Sequence, residues 1–105
     1  MYKLVFFCPV DDAEKLKSAV FAAGAGAQGE YAEVAFESRG TTQFRPLPDA
    51  DPHIGTPGEL TRVDEMRIEI LCTPEQIRPA RDALIRAHPY ESPVYDIYRV
   101  ETMLD

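Results

Sequence analysis

The chain has 105 residues, of which 45% are hydrophobic, and a formal net charge of -7 at pH 7. This length and apolar content predict one domain, residues 1–105, with a single core that needs no disulfide or metal to fold. An acidic surface repels phosphates, so we expect neither nucleic acid nor a membrane surface as a partner. The apolar run 4–7 is too short for a signal peptide or a membrane span, which predicts a cytoplasmic protein.

The start of the chain predicts a strand followed by a helix. Residues 2–9 are apolar and rich in β-forming side chains, which is typical of a strand. Asp11 and Glu14 have the spacing of a capping box, and apolar residues then recur at helical spacing over about 12–23. The glycine pair in 24–26 follows this helix, so we interpret it as a helix stop and not as a phosphate-binding loop.

A second strand and a long loop follow. Residues 31–38 alternate between apolar and polar side chains, which predicts a strand, and Gly40 is expected to turn the chain. Residues 45–58 contain four prolines and two glycines, so they cannot form a helix or a central strand. Leu47 and Ile54 provide apolar anchors, which predict an ordered loop. A loop of this length in a small domain is typically functional.

A third strand and a second helix are predicted next. Residues 59–71 alternate, with a possible bulge near 64–65. Thr73 and Gln76 form a capping-box pattern that opens the second helix. Pro79 lies inside that helix, so we expect a distorted first turn or a regular helix that starts near residue 78.

The last strand is predicted over about 93–100, and Met103 and Leu104 are expected to add a short tail contact. The element order is therefore βαββαβ. Two right-handed crossovers of this kind predict an α+β, ferredoxin-like fold, with a four-stranded antiparallel sheet and two helices on one face.

Side chains on the uncovered sheet face predict assembly. Helices cover only one face of such a sheet, yet the first and last strands are bulky on both sides. The first strand has Leu4, Phe6 and Cys8 on one side and Val5 and Phe7 on the other, and the last strand has Tyr95 and Ile97 opposite Val94 and Tyr98. Such residues would form an apolar patch of several hundred Å², more than monomers usually expose. The sequence therefore predicts a closed, symmetric homo-oligomer.

Cys8 and Cys72 both end predicted strands. They could share a site at one edge of the sheet, but no neighbouring base is evident that would activate a thiol nucleophile. We therefore favour reduced, buried thiols.

Three strings of residues carry a resemblance to a known family. They are GTTQFRPL at 40–47, PHIG at 52–55 followed by Gly58, and AHPYE at 87–91 followed by YDIY at 95–98. Together they resemble the PII-like/CutA-like insert domain of the NIF-three family, and the likeness covers residues 2–100. Thr42 replaces a second glycine of that pattern, and Ser92 replaces an acidic residue.

The resemblance implies a non-enzymatic, trimeric binding or regulatory module, with a small molecule or a protein partner bound at subunit interfaces. The long loop and the turn after the second helix would line that site. The candidate ligand-binding residues are Phe44, Arg45, His53, Gly55, His88, Tyr90 and Glu91.

Two alternatives stay open. The resemblance to CutA-type proteins also implies a divalent metal ion, copper or zinc, bound by His88 and Glu91, with Asp96 as a further candidate, since imidazole and carboxylate groups suit such ions. Against this, His88 could simply cap the end of the second helix, where its charge would favour the helix dipole. An enzyme is the weakest hypothesis, because no acid, base and nucleophile converge in the sequence.

Overall fold

The computed structural model describes residues 1–101, and it confirms the ferredoxin-like α+β fold. Its four strands form one antiparallel sheet in the order β2-β3-β1-β4. The elements are β1 (Tyr2–Pro9), α1 (Ala13–Ala22), β2 (Phe36–Phe44), β3 (Thr61–Cys72), α2 (Ile77–Ala87) and β4 (Tyr95–Arg99). The tail contact predicted for Met103 and Leu104 lies outside the described residues.

The core lies between the sheet and the two helices. Leu4 and Phe6 of β1 are opposite Ile70 and Ile68 of β3, and all four side chains are fully buried. Residues of both helices complete this cluster; those with no exposed area are Leu16, Val20, Ala80 and Leu84. Burial of this one face fixes the register of the strands, because a shift of one residue would turn every core side chain toward solvent.

The second helix begins as predicted. The Thr73 N–H donates to Gln76 Oε1 at 3.1 Å, and the Gln76 N–H donates to Thr73 Oγ1 at 3.2 Å. This reciprocal pair is a capping box, and the regular helix starts at Ile77. Pro79 is the third residue of this regular helix, near its start, where a missing backbone N–H costs less than in the helix interior.

The capping box predicted for the first helix is wrong. The side chain of Asp11 makes no capping hydrogen bond, and a short 3-10 turn over Val10–Asp12 leads into the helix instead. The predicted helix stop is correct, since Gly24 follows α1 with a φ of 104°. That left-handed conformation is one that glycine adopts at little cost.

The predicted bounds of the second strand are also wrong. β2 begins at Phe36 and continues through Gly40 to Phe44, so Gly40 does not turn the chain. Gly40 pairs with Glu65 in an unbroken register, and there is consequently no bulge at 64–65. The first six residues of β2 are exposed. Backbone pairing with β3, and not burial of side chains, therefore holds this edge strand in the sheet.

The two cysteines lie at opposite ends of the sheet and cannot share a site. Cys72 is opposite Tyr2 at the start of β1, whereas Cys8 is opposite Met66 near its end, because the strands are antiparallel. Both thiols are free and buried, as predicted. Burial raises the pKa of Cys8 to about 12 and also raises the pKa of Cys72, so both thiols are protonated and unreactive at neutral pH.

The sheet face away from the helices is less apolar than the sequence suggests. Val5 is fully buried there, and the guanidinium of Arg67 lies 5.6 Å from the centre of the Phe7 ring. Lys3 forms an ion pair with Glu69 at 3.5 Å on the same face. Charged side chains of the chain itself therefore interrupt the expected apolar patch.

Candidate functional site

The 45–58 loop folds back over the open face of the sheet and encloses a cavity. Strands β2 and β3 extend past the last pair that β1 makes, Pro9 with Glu65, and form a two-stranded arm. The loop at the end of this arm turns toward the segment between α2 and β4. The resulting cavity has a volume of about 370 Å³, which is in the range of small-molecule sites.

Hydrogen bonds hold the loop in this position. The backbone N–H of Asp51 donates to Glu91 Oε2 at 3.2 Å, across 40 residues of sequence. Arg45 Nη1 donates to the Gly58 carbonyl at 2.7 Å, and the Gly58 N–H donates to the Pro46 carbonyl at 2.7 Å. The loop is thus closed at its base and fastened to the turn that faces it.

Gly55 allows the loop to approach the arm closely. Its φ is 99°, and a Cβ at this position would lie 3.0 Å from Thr61 Oγ1 and 3.3 Å from the Phe44 ring. A larger residue would be strained by its backbone and would push Phe44 away. Gly55 therefore supports the wall of the cavity without lining it.

A buried acid and a tyrosine form the floor of the cavity. Glu65 has only 2% of its surface exposed, although it lies on the sheet face without helices. The Tyr90 hydroxyl donates to Glu65 Oε2 at 2.6 Å. Burial, and then this hydrogen bond to the carboxylate, raises the pKa of Tyr90 well above its ordinary value.

His88 lies beneath Tyr90 and positions it. Its Nδ1 accepts a hydrogen bond from the Tyr90 N–H at 3.1 Å, so its Nε2 carries the proton and donates to the Phe7 carbonyl at 2.8 Å. The His88 and Tyr90 ring centres are 4.9 Å apart. The side chain therefore does not cap the helix, as one interpretation of the sequence had it, but joins the end of α2 to β1.

The structure brings five of the seven predicted ligand residues to the cavity wall. These five are Phe44, Arg45, His53, Tyr90 and Glu91. Gly55 and His88 lie behind the wall and support it. Whether any of the seven binds a ligand stays a prediction.

Sequence reasoning missed the residues that the strands contribute to the cavity. Glu65, Phe7 and Thr42 all line it, together with Val94. Alternation along β3 could have placed Glu65 on the open face, but the expected bulge at this position hid that signal.

The metal site predicted at His88 and Glu91 is not tested by the geometry. Within residues 1–101, no three His, Cys, Asp or Glu side chains form a group suited to a metal ion. Both ring nitrogens of His88 are hydrogen-bonded, so a metal could bind there only by displacing one of these bonds. Asp96 is on β4, opposite Val5.

Neither helix of the described part of the chain is long and apolar enough to cross a membrane.

Comparison with solved structures defines the class of fold. The periplasmic divalent cation tolerance protein CutA from Archaeoglobus fulgidus superposes with a TM-score of 0.70, over 99% of this chain and 88% of that one. The sequences are 15% identical, so this likeness concerns the fold alone. The chain has the CutA/PII-like form of the ferredoxin-like fold.

Within that class, the chain is homologous to a segment of NIF3-type proteins, which confirms the resemblance. A Bacillus cereus protein related to NIF3 has a TM-score of 0.83 and 38% identity over 96% of this chain, and 26% of its own chain is covered. The GTP cyclohydrolase 1 type 2 homolog of Halalkalibacterium halodurans is 41% identical over 98 residues, which are 93% of this chain and 26% of that protein. The chain thus spans about a quarter of the length of these relatives. No protein-family model matches it.

Proposed function

We propose that the chain is a non-enzymatic, oligomeric binding module, with a small ligand held in the cavity between the 45–58 loop and the turn at Tyr90 and Glu91. The observation that carries this proposal is the hydrogen bond from the Asp51 N–H to Glu91, which fastens a long loop over a cavity of about 370 Å³. Because this loop is ordered before a ligand binds, little of the binding free energy is lost in ordering it.

The walls of the cavity support a ligand site and not a packing defect. Phe7, Phe44 and Ile54 supply apolar surface, while Glu65 and Thr42 supply polar groups at fixed positions. Binding sites for small molecules typically combine a mainly apolar lining with a few polar groups that orient the ligand.

Assembly is the second part of the proposal. Val94, Tyr98 and Phe36 are 53%, 47% and 66% exposed, and both edge strands of the sheet have unpaired backbone groups. Closed oligomers cover such edges and side chains. We take the homotrimer as the assembly because the CutA-like resemblance implies it, and the site would then lie at subunit interfaces.

The relatives are named as homologs of a GTP cyclohydrolase, but we propose a binding role for this chain. The chain spans 26% of the relative from Halalkalibacterium halodurans, so an activity of the whole protein need not reside in this segment. The Tyr90 hydroxyl on the cavity floor is bonded to Glu65, and the raised pKa of Tyr90 makes it a poor acid.

Native mass spectrometry of protein purified from its host tests the ligand site. Wild-type protein should retain a small molecule. Thr42→Trp should lose it, because Thr42 lines the cavity and indole would fill the space. Arg62→Trp is the matched control, since Arg62 is exposed on the neighbouring strand and does not line the cavity. Equal retention by wild type and Thr42→Trp, or no retained mass in any sample, would count against the proposed site.

Divalent metal binding stays the alternative function. Its test is calorimetry with Cu(II) or Zn(II), in which His88→Ala should weaken binding by about tenfold if His88 is a ligand. Equal affinity of wild type and variant, or no saturable binding, would exclude His88 from a metal site.

A further inference from the structure

We propose that the cavity selects a small organic cation, a flat apolar body that bears an amine, amidine or guanidine group, over anions such as phosphate esters. This inference rests on the proposed function, in which the same cavity is the ligand site. It follows from the charges at the floor, the rim and the walls of the cavity.

The floor carries a buried carboxyl group without an ionic partner. Glu65 is 98% buried, and its described hydrogen bond comes from an uncharged donor, the Tyr90 hydroxyl, to Oε2. Among the described residues, no lysine, arginine or histidine forms an ion pair with Glu65. A buried carboxylate is stabilised strongly by a cation that can reach it, and Glu65 lines the cavity.

Basic side chains also occur at the cavity, and His53 is one of its lining residues. Arg45 lines it, but its Nη1 donates to the Gly58 carbonyl at 2.7 Å. Arg67 lines the smaller cavity on the other side of Glu65, and its Nε is 3.0 Å from Glu69 Oε2. The lining therefore holds one guanidinium, that of Arg45, against the two carboxylates of Glu65 and Glu91.

The rim adds a second carboxylate. Glu91 lines the cavity, and its described hydrogen bond is from the backbone N–H of Asp51 to Oε2. Two carboxylates thus face one cavity in a chain whose net charge is -7. This field attracts cations to the cavity and repels phosphates.

The walls favour a flat, apolar body. Phe7 and Phe44 present aromatic rings, and Pro46, Pro52 and Ile54 complete an apolar lining. Aromatic rings attract a nearby cation through their negative faces and stack on flat groups. The cavity therefore combines an apolar slot with an acidic end.

The test is an NMR titration of the full-length chain with benzamidine, benzamide and benzoate, which have similar shapes but are cationic, neutral and anionic. Benzamidine should shift the amide signals of Glu65 and Tyr90 saturably, whereas benzoate should not. Glu65→Gln should weaken benzamidine binding by about tenfold, because it removes a charge-assisted hydrogen bond. Its amide oxygen can still accept from Tyr90, so the fold should be kept.

Glu69→Gln is the charge-matched control. Glu69 is on the same strand and does not line the cavity, so this variant should bind benzamidine as wild type does. If benzoate or benzamide binds as tightly as benzamidine, or if Glu65→Gln binds it unchanged, the cation preference is overturned while the cavity remains a ligand site. If none of the three probes shifts a cavity signal, both the preference and the proposed site are overturned.

Discussion

Tyr90 makes three kinds of contact that together close the base of the cavity. Its hydroxyl bonds to Glu65 on β3, its backbone N–H bonds to His88, and its ring lies against the His88 ring. Through His88 it is also connected to the Phe7 carbonyl on β1. One residue of the turn is thereby fixed against two strands of the sheet.

Removal of the Tyr90 hydroxyl should destabilise the fold. Tyr90→Phe leaves Glu65 buried without its donor, and we expect a loss of about 1–3 kcal/mol in the free energy of unfolding, measured with urea. Tyr95→Phe is the control, because Tyr95 packs against the core and no described hydrogen bond uses its hydroxyl. Equal losses in the two variants would show that the bond to Glu65 contributes nothing.

The same variant should change how stability depends on pH. Because the pKa of Tyr90 is raised above its ordinary value of 10.0, the unfolded chain releases this proton first as the pH rises. The contribution of Tyr90 is therefore fully present below pH 10 and is lost above it. Wild type should lose stability more steeply than Tyr90→Phe in this alkaline range, and parallel curves would contradict the assignment.

Sequence could predict Tyr90 as a site residue but not its partner. The string around Tyr90 resembles a known family, whereas Glu65 is 25 residues away in the chain and lies in an otherwise ordinary strand. Its burial depends on the turn that folds over it. Contacts of this kind arise from tertiary structure and leave no local pattern.

At the scale of single elements, the two helix starts give a matched comparison. Thr73→Ala should cost about 1 kcal/mol, because Thr73 Oγ1 accepts the Gln76 N–H in a real capping box. Asp11→Ala should cost far less, because the Asp11 side chain makes no capping bond. Thermal unfolding of both variants would check this, and equal shifts in Tm would contradict the assignment of the caps.

Elements with a buried face could be predicted, and elements without one could not. The prediction of β1 is correct because its side chains alternate between the two faces of the sheet, and Leu4 and Phe6 lie on the face that enters the core. β2 was misplaced because its first six residues are exposed, so no hydrophobic period marks it. Gly40 suggested a turn, yet pairing with Glu65 carries the strand straight through it.

At the scale of the whole molecule, the chain is elongated. Its extents are 51 × 23 × 22 Å, and its radius of gyration of 14.9 Å exceeds the roughly 13 Å of a compact chain of this length. The β2–β3 arm produces this elongation, and a two-stranded ribbon is marginally stable by itself. Neighbouring subunits would provide the missing contacts.

The open face of the sheet is less apolar in the structure than the sequence predicts, and this bears on assembly. The open face was expected to be a contiguous apolar patch, but Arg67 lies over Phe7 and Val5 is fully buried. The area available for association is therefore smaller and more polar than expected. Exposed apolar side chains occur instead on the edge strands, such as Phe36 and Tyr98.

Sedimentation equilibrium at micromolar concentration is the most direct test of the proposed oligomeric module. The predicted result is a mass about three times that of the 11.8 kDa chain. Tyr98→Glu should reduce that mass toward one chain without unfolding it, since this side chain is 47% exposed in the isolated subunit. A wild-type protein that sediments as a soluble monomer would contradict the proposed assembly.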